Sequence, residues 1–326
     1  MKWMAVLLCL SGIQPAMADS AFVDFDLGWI YPQKLGAMTF DRVEKYDTEA
    51  LGYSIFYKKD GFYSAEVSVF NLGREAIADG YKAADVSMLF DSVETAHKKE
   101  EKEGQISSVR KRGAPEIPNK GDIRFANTIF QYLEPRVAEG NTKSIPRINS
   151  VYVTAAHNNF FKVQFRFDMA NGKAATAMSK QLITQLIQTI KSVNTEEEVL
   201  IAACDALINN PSDYAGRIAS RKIWAKAQAM GELNIYTHLF VWPEGYNKPK
   251  NADLLTMGYF AGMLKVVIPQ GLESGGEPEG FAAMLQAYSN MRTREDIEVI
   301  PQLDEWAKHP DKKALFEELL FAPAEE

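Results

Sequence analysis

Apolar positions along this chain change period near its middle, from alternation typical of strands to the wider spacing of helices. Between residues 38 and 70 the pattern is strand-like. Tyr53-Ser54-Ile55-Phe56-Tyr57 alternates, Asp60-Gly61 supplies a tight turn, and Tyr63, Ala65, Val67 and Val69 then share one face. Ser64, Glu66 and Ser68 fall on the other, which predicts an antiparallel hairpin with one wet face. A helical stripe follows, Val86, Leu89, Phe90 and Val93, with Asp85 placed to cap its start and Gly104 beyond its end. The charge run from Lys98 to Glu103 reads as the solvated last turn of that helix.

Strand patterning returns from Ile123 to Leu133, and a second hairpin pairs Val151–Ala156 with Phe160–Asp168 around His157-Asn158-Asn159. On the return strand Phe161, Val163, Phe165 and Phe167 alternate with Lys162, Gln164 and Arg166. A helix from about Ala174 to Lys191 closes this half, burying Met178, Leu182, Ile183, Leu186, Ile187 and Ile190. Strands, helix, strands, helix, joined largely by hairpins, predict an α+β domain: a mostly antiparallel sheet sandwiched with helices. In this element order and its two hairpins, residues 28–192 resemble the PsbP-like superfamily of small α/β/α sandwiches. That resemblance implies an accessory, binding role in an exported compartment without catalysis. The helical extension that follows departs from a minimal domain of that kind.

Thr195-Glu196-Glu197-Glu198 spells a capping box, so the boundary is set at Val193-Asn194, giving an α+β domain over 19–193 and an all-helical domain over 194–326. Val199, Leu200, Ala203, Leu207 and Ile208 mark the first helix, stopped by Asn209-Asn210-Pro211. Ala219, Ile223, Ala227 and Met230 mark the second, ended by Gly231. Residues 235–242 fit either a short strand or a buried helical turn. Asn251 is placed to cap the most apolar helix, in which Lys265 is the only charge from Leu254 to Ile268, and Gly258 and Gly262 allow close helix approach. Gly271 to Glu277 reads as a flexible acidic linker, followed by a helix with Phe281, Met284, Leu285, Tyr288 and Met291 inside. Short helices around Leu303–Trp306 and Leu315–Leu320 finish the chain.

The first eighteen residues fit neither pattern. Lys2, an apolar run from Trp3 to Leu10, breakers at Gly12 and Pro15, and Ala16-Met17-Ala18 form a secretory signal peptide, with cleavage expected between Ala18 and Asp19. The run is shorter than the ~20 residues a spanning helix needs. Leu7 and Leu8 before Cys9 are not the small residues of a lipobox, so lipidation is not expected. Processing would leave Cys204 as the single thiol, and therefore no intramolecular disulfide. With no N-x-[ST] sequon free of proline either, the periplasm or the exterior of a bacterium is the expected location. The formal net charge of −7 disfavours nucleic acid and anionic lipid surfaces as partners.

Chemistry is sparse. His97, His157, His238 and His309 are scattered, with no H-E-x-x-H or H-x-H pair. Cys204 lies mid-helix beside a buried stripe, where a thiol packs rather than reacts. No G-x-S-x-G, S-x-x-K, Walker or dinucleotide motif occurs. Asp24 and Asp26, flanking Phe25, would share one side of an extended N-terminal stretch expected to be mobile. Trp242 and Tyr246, beside turn formers, are the candidate binding surface. The expectation is an exported, non-catalytic binding or accessory protein of the cell envelope. It would work with an unidentified envelope or secreted protein partner, and no metal or organic cofactor is expected. The alternative is an exported hydrolase whose site is assembled at the domain seam.

Overall fold

A computed structural model describes residues 20–60, 63–81, 84–116, 121–138, 141–231, 233, 234, 236, 239 and 249–321. Strands β1 (Ser20–Asp24) and β2 (Trp29–Pro32) form a two-stranded antiparallel hairpin. They precede β3 (Lys34–Leu35), β4 (Met38–Lys45), β5 (Tyr53–Lys59), β6 (Tyr63–Phe70), helix α1 (Ala84–Lys102), β7 (Ser107–Glu116), β8 (Ala126–Ala138), β9 (Asn141–Ala156), β10 (Asn159–Asp168) and α2 (Gly172–Lys191). The eight-stranded sheet runs β3-β4-β5-β6-β10-β9-β8-β7 and every pairing in it is antiparallel. Two meanders therefore meet at its centre. α1 carries the chain from β6 to the far edge, and β7 to β10 walk back until Phe160 faces Phe70 and Phe167 faces Tyr63.

Alternation assigns the two faces. Phe161, Val163, Phe165 and Phe167 point into the core beneath α2, with Tyr53, Ile55, Tyr57, Leu182, Ile183 and Leu186. Phe160, Val151, Val153 and Phe130 point to the opposite face, where Val86, Leu89, Phe90 and Val93 of α1 cover them. The α+β sandwich read from the pattern is what the chain forms, but the second face is not wet throughout. Ser54 and Ser68 are buried on it, hydrogen-bonded to each other at 3.0 Å and to Glu66. The two hairpin turns follow from residues that accept left-handed backbone. Asp60 has φ 52°, and His157 and Asn158 have φ 51° and 60°.

The elements legible least well lie at the sheet's edge. β7 (Ser-Ser-Val-Arg-Lys-Arg-Gly-Ala-Pro-Glu) has one large aliphatic residue, two register shifts against β8, and both a Gly and a Pro, as an edge strand tolerates. β8 and β9 extend past the core as far as the Ala138–Asn141 pair, through Pro135 and Pro146, where little apolar alternation marks them.

Beyond α2 the chain is helical: α3 (Glu196–Asn209), α4 (Tyr214–Met230), α5 (Ala252–Gln270), α6 (Glu277–Thr293), α7 (Pro301–Lys308) and α8 (Lys312–Phe321). The capping box at the start of α3 is complete. The Glu198 amide donates to Thr195 Oγ1 at 3.2 Å and the Thr195 amide donates to Glu198 Oε2 at 2.8 Å. Thr195→Ala, which removes one half of this exchange, is expected to lower stability by about 1 kcal/mol in urea unfolding. Gly231 ends α4 in the left-handed conformation, and Asp213, a cap not anticipated, starts it by accepting from the Gly216 amide.

α5 is the centre of the helical core, with Leu255, Tyr259, Met263, Leu264 and Val267 buried among α3, α4 and α6. By length and composition it could cross a membrane, yet 61% of its most apolar window is buried against neighbouring elements. Lys265, the charge within its apolar stretch, pairs with the buried Asp205 of α3. Two expectations for this region change. Asn251 does not cap α5 through its side chain; it has φ 66°, donates to the Asp296 carbonyl at 2.7 Å and accepts from Arg217. Residues 271–276 form a tight turn between packed helices, not a loose linker. Gly271 and Gly276 are both left-handed, and a Cβ at Gly276 would stand 3.2 Å from Met263 Cα.

The N-terminal hairpin joins the two cores. Ala21, Phe22, Trp29 and Tyr31 belong to the sheet core, whereas Val23 belongs to the helical one. The expected mobile N-terminal stretch is thus, from Ser20 onward, a buried wedge in the seam.

Candidate functional site

Two depressions and one buried polar chain gather the side chains able to do chemistry. The first depression, about 400 Å³, lies in the seam between the β1–β2 turn, the ends of β5 and β6, and α4. Asp24 sits at its inner wall. β1 ends at Asp24 and the chain turns through residues 25–28, so Asp24 and Asp26 do not share a side; the first is buried and the second exposed. Asp24 Oδ1 accepts from the amides of Asp26 and Leu27 at 3.0 Å each, and Oδ2 accepts from the Tyr53 hydroxyl at 2.8 Å. Tyr53 and Tyr31 hydroxyls stand 3.1 Å apart. Burial, reinforced by Tyr31 and Asp24, holds the Tyr53 phenol well above its ordinary value, so it stays protonated and donating. The carboxylate is thereby committed to three donors that fix the hairpin. Across the cleft, Lys222 places its ammonium 5.3 Å from the Phe25 ring centroid.

The second depression is larger, about 610 Å³, and runs between α2 and the β8–β9 side of the sheet. Its origin is geometric. Eight strands span ~34 Å at 4.8 Å per strand, and one helix about 10 Å wide cannot cover them. On the β5 side the remaining face is covered by the β1–β2 hairpin and Tyr214. On the β8–β9 side Ile129 and Tyr152 are left facing a groove. α2 lines the other wall with one helical stripe: Ser179, Ile183 and Ile187 inward, Thr176, Lys180, Thr184, Gln188 and Lys191 along the outer lip. Tyr152 donates to Ser179 Oγ at 3.0 Å across the floor, and Phe167 closes the inner end. Lys191 is paired with Asp122 at 2.9 Å; Lys180, among the described residues, has no ion pair. No carboxylate lines this groove among the described residues.

The polar chain crosses the α1 face. Glu100 Oε2 is 3.0 Å from His97 Nδ1, His97 Nε2 is 3.1 Å from Asn149 Nδ2, Asn149 Nδ2 donates to Gln164 Oε1 at 3.0 Å, and Gln164 Nε2 donates to Glu66 Oε2 at 3.2 Å. Nδ2 can reach Nε2 as a donor only if the His97 proton resides on Nδ1, facing Glu100. His97 is buried between Phe130 and Tyr132, and Asn149 is fully buried. Neither depression reaches this chain. It links buried polar side chains inside the sandwich, with Asn149 Oδ1 left without a hydrogen-bond partner.

The other anticipated residues are dispersed. Ala16, Ala18 and Asp19 of the cleavage pattern, Trp242 and Tyr246 of the candidate surface, and His238 lie outside the described residues. Cys204 is fully buried in α3, and burial pushes its thiol well above the ordinary range, which suits packing and not nucleophilic attack. His157 sits at the β9–β10 turn against Trp29, and His309 follows α7 with its backbone contacting Trp306. No group of three His, Cys, Asp or Glu suited to a metal occurs among the described residues. The α2 groove escaped the sequence reading because Ile183 and Ile187 fit a simple buried stripe. The available signal was arithmetical: one closing helix is too few for so many strands.

No protein-family model matches the chain, and no curated protein matches it. Among solved structures, the protein of unknown function PA94 from Pseudomonas aeruginosa is similar over 51% of this chain and 91% of its own, at 13% identity and a TM-score of 0.20.

Proposed function

We propose that this chain is an exported, non-catalytic binding or accessory protein of the cell envelope, released by cleavage between Ala18 and Asp19. The observation that carries the reading is the contrast between the two depressions. In the seam, the buried carboxylate of Asp24 is engaged by three donors that hold the hairpin, a structural role that supports the non-catalytic reading. Beside α2, a largely apolar floor with a cationic lip and, among the described residues, no lining carboxylate offers a surface suited to binding. The PsbP-like order of strands and helices supports the same assignment, and Trp242 and Tyr246, which lie outside the described residues, are the second proposed point of contact with a protein partner.

The test is made on the exported fraction of the native organism. N-terminal sequencing of the mature protein is expected to begin at Asp19, and cross-linking with mass spectrometry is expected to capture a specific envelope or secreted component. Turnover of ester, amide or glycosidic test substrates by the purified protein, abolished by Asp24→Ala in a variant that remains folded, would overturn the reading in favour of a seam hydrolase.

A further inference from the structure

We infer that the groove between α2 and the β8–β9 side of the sheet is a binding site for a free, monomeric amphiphile with one carboxylate headgroup and an unbranched alkyl chain. This deepens the reading of the chain as a binding protein and rests on it. Three features of the groove specify the ligand. Its volume, about 610 Å³, lies within the range of small-molecule sites. Its floor is elongated and largely apolar, with Asn127, Ser150 and Ser179 as its polar members. Ile183 and Ile187 follow one another along the helix opposite Ile129 and Tyr152, a strip that accepts a chain lying parallel to the helix axis. Its lip is cationic in an acidic protein. The chain carries 43 acidic against 36 basic residues, yet the charged residues lining this groove are Lys180 and Lys191.

The two lysines differ in what they can offer. Lys191 already meets Asp122 at 2.9 Å. Lys180 is exposed and makes no ion pair among the described residues, so its ammonium is free to receive a carboxylate. From Lys180 to Ile187 is seven residues of helix, about 10 Å of rise, and about 16 Å separates Lys180 from Lys191. A headgroup at Lys180 would thus lay its alkyl chain over Ile183 and Ile187, toward the far end. The groove hydroxyls leave the headgroup no better donor. Ser179 Oγ donates to the Thr176 carbonyl, and Thr184 Oγ1 to the Lys180 carbonyl, so among the lining groups Lys180 Nζ is the cation without an ion pair, and a charge-assisted bond to it fixes the ligand's polar end.

The experiment uses the mature full chain and laurate, kept below its micellar concentration, in isothermal titration calorimetry. Dodecyltrimethylammonium, of equal chain length and opposite charge, is the comparison. Laurate is expected to bind at one site, and the cationic amphiphile at least tenfold more weakly. Lys180→Glu is expected to weaken laurate at least tenfold. Thr184→Trp, at an exposed position that spares the core, is expected to do the same by filling the groove. Thermal unfolding of each variant checks that the fold is kept. Absence of laurate binding, equal affinity for the two amphiphiles, or unchanged affinity in both variants would overturn the assignment. None of those results would touch the broader reading, which fails separately on substrate turnover.

Discussion

Gly262→Leu is expected to break the helical half of this protein. Helices α5 and α6 pack backbone to backbone at this point. A Cβ on Gly262 would stand 2.4 Å from the Glu279 carbonyl oxygen and 2.7 Å from both Ala283 Cβ and Gly280 Cα. The closeness is mutual, because a Cβ on Gly280 would stand 2.8 Å from the Tyr259 carbonyl oxygen. No flexible side-chain tip is available to yield; the obstacles are the main chain of a neighbouring helix and the Cβ fixed to it at Ala283. To admit a leucine, α6 must move away from α5, opening the core around Tyr259, Met263, Phe281 and Met284. Overpacking commonly costs about 1–3 kcal/mol, and a whole side chain driven against backbone belongs at or above the upper end, about 3 kcal/mol or more. For a chain of this size that is a fall in melting temperature on the order of 10 °C. Gly258→Ala, one turn earlier, is the control. There the nearest atoms are Ala287 Cβ at 3.2 Å and Met284 Cα at 3.5 Å, so a shift of a few tenths of an ångström suffices. The helix propensity gained over glycine, about 1 kcal/mol, offsets that strain, and the variant is expected to stay within about 1 kcal/mol of the parent. Circular dichroism on both proteins reads the difference; equal stability of the two would mean that α5 and α6 are not in contact at Gly262.

The same glycine pair shows how far the sequence speaks for itself. The spacing of Gly258 and Gly262 in an apolar helix announces a close helix neighbour, but not which helix, because that depends on contacts across the chain. The capping box at Thr195 and the left-handed stops at Gly104 and Gly231 are legible because their physics is local: a side chain meets a backbone group within a few residues. The central strands are legible because both their faces are used and their alternation is strict. Legibility fails where stability comes from distant partners. β7 is a strand because β8 offers it a hydrogen-bonding edge, and its own Arg-Lys-Arg segment carries no alternation to show it. Asn251 resembles an N-cap in sequence, yet Arg217 and Asp296, from two other parts of the chain, claim its amide. The α2 groove is harder still, since it is made by what the fold leaves uncovered, which no window of sequence contains.

Asp24→Ala is expected to destabilise the protein, and the sign of that change decides what the seam is for. The carboxylate is buried and holds three donors: the amides of Asp26 and Leu27, which shape the turn between β1 and β2, and the Tyr53 hydroxyl. Removing it leaves these donors without their acceptor at the inner wall of the seam depression. Leaving a buried donor unmade costs about 1–3 kcal/mol, although the exposed side of the turn lets water reach part of the backbone and Tyr53 can turn toward Tyr31. The expected loss is about 3 kcal/mol. Tyr53→Phe removes two bonds, to Asp24 Oδ2 and to the Tyr31 hydroxyl, and leaves the buried Tyr31 hydroxyl without its partner, so a loss of about 2 kcal/mol is expected. The double variant is expected to be less destabilised than the sum, with a coupling of about 1 kcal/mol, because each single change already breaks the shared bond. Were Asp24 held for chemistry, the outcome would reverse. Charged groups kept at reaction centres are commonly a burden on the fold, and their removal raises stability while activity disappears. A neutral or stabilised Asp24→Ala in denaturant unfolding would therefore reopen the seam as a reaction centre. A loss of the expected size, coupled to Tyr53, identifies Asp24 as the clasp that ties the first strand of the sheet domain to the helical core through Val23 beside it.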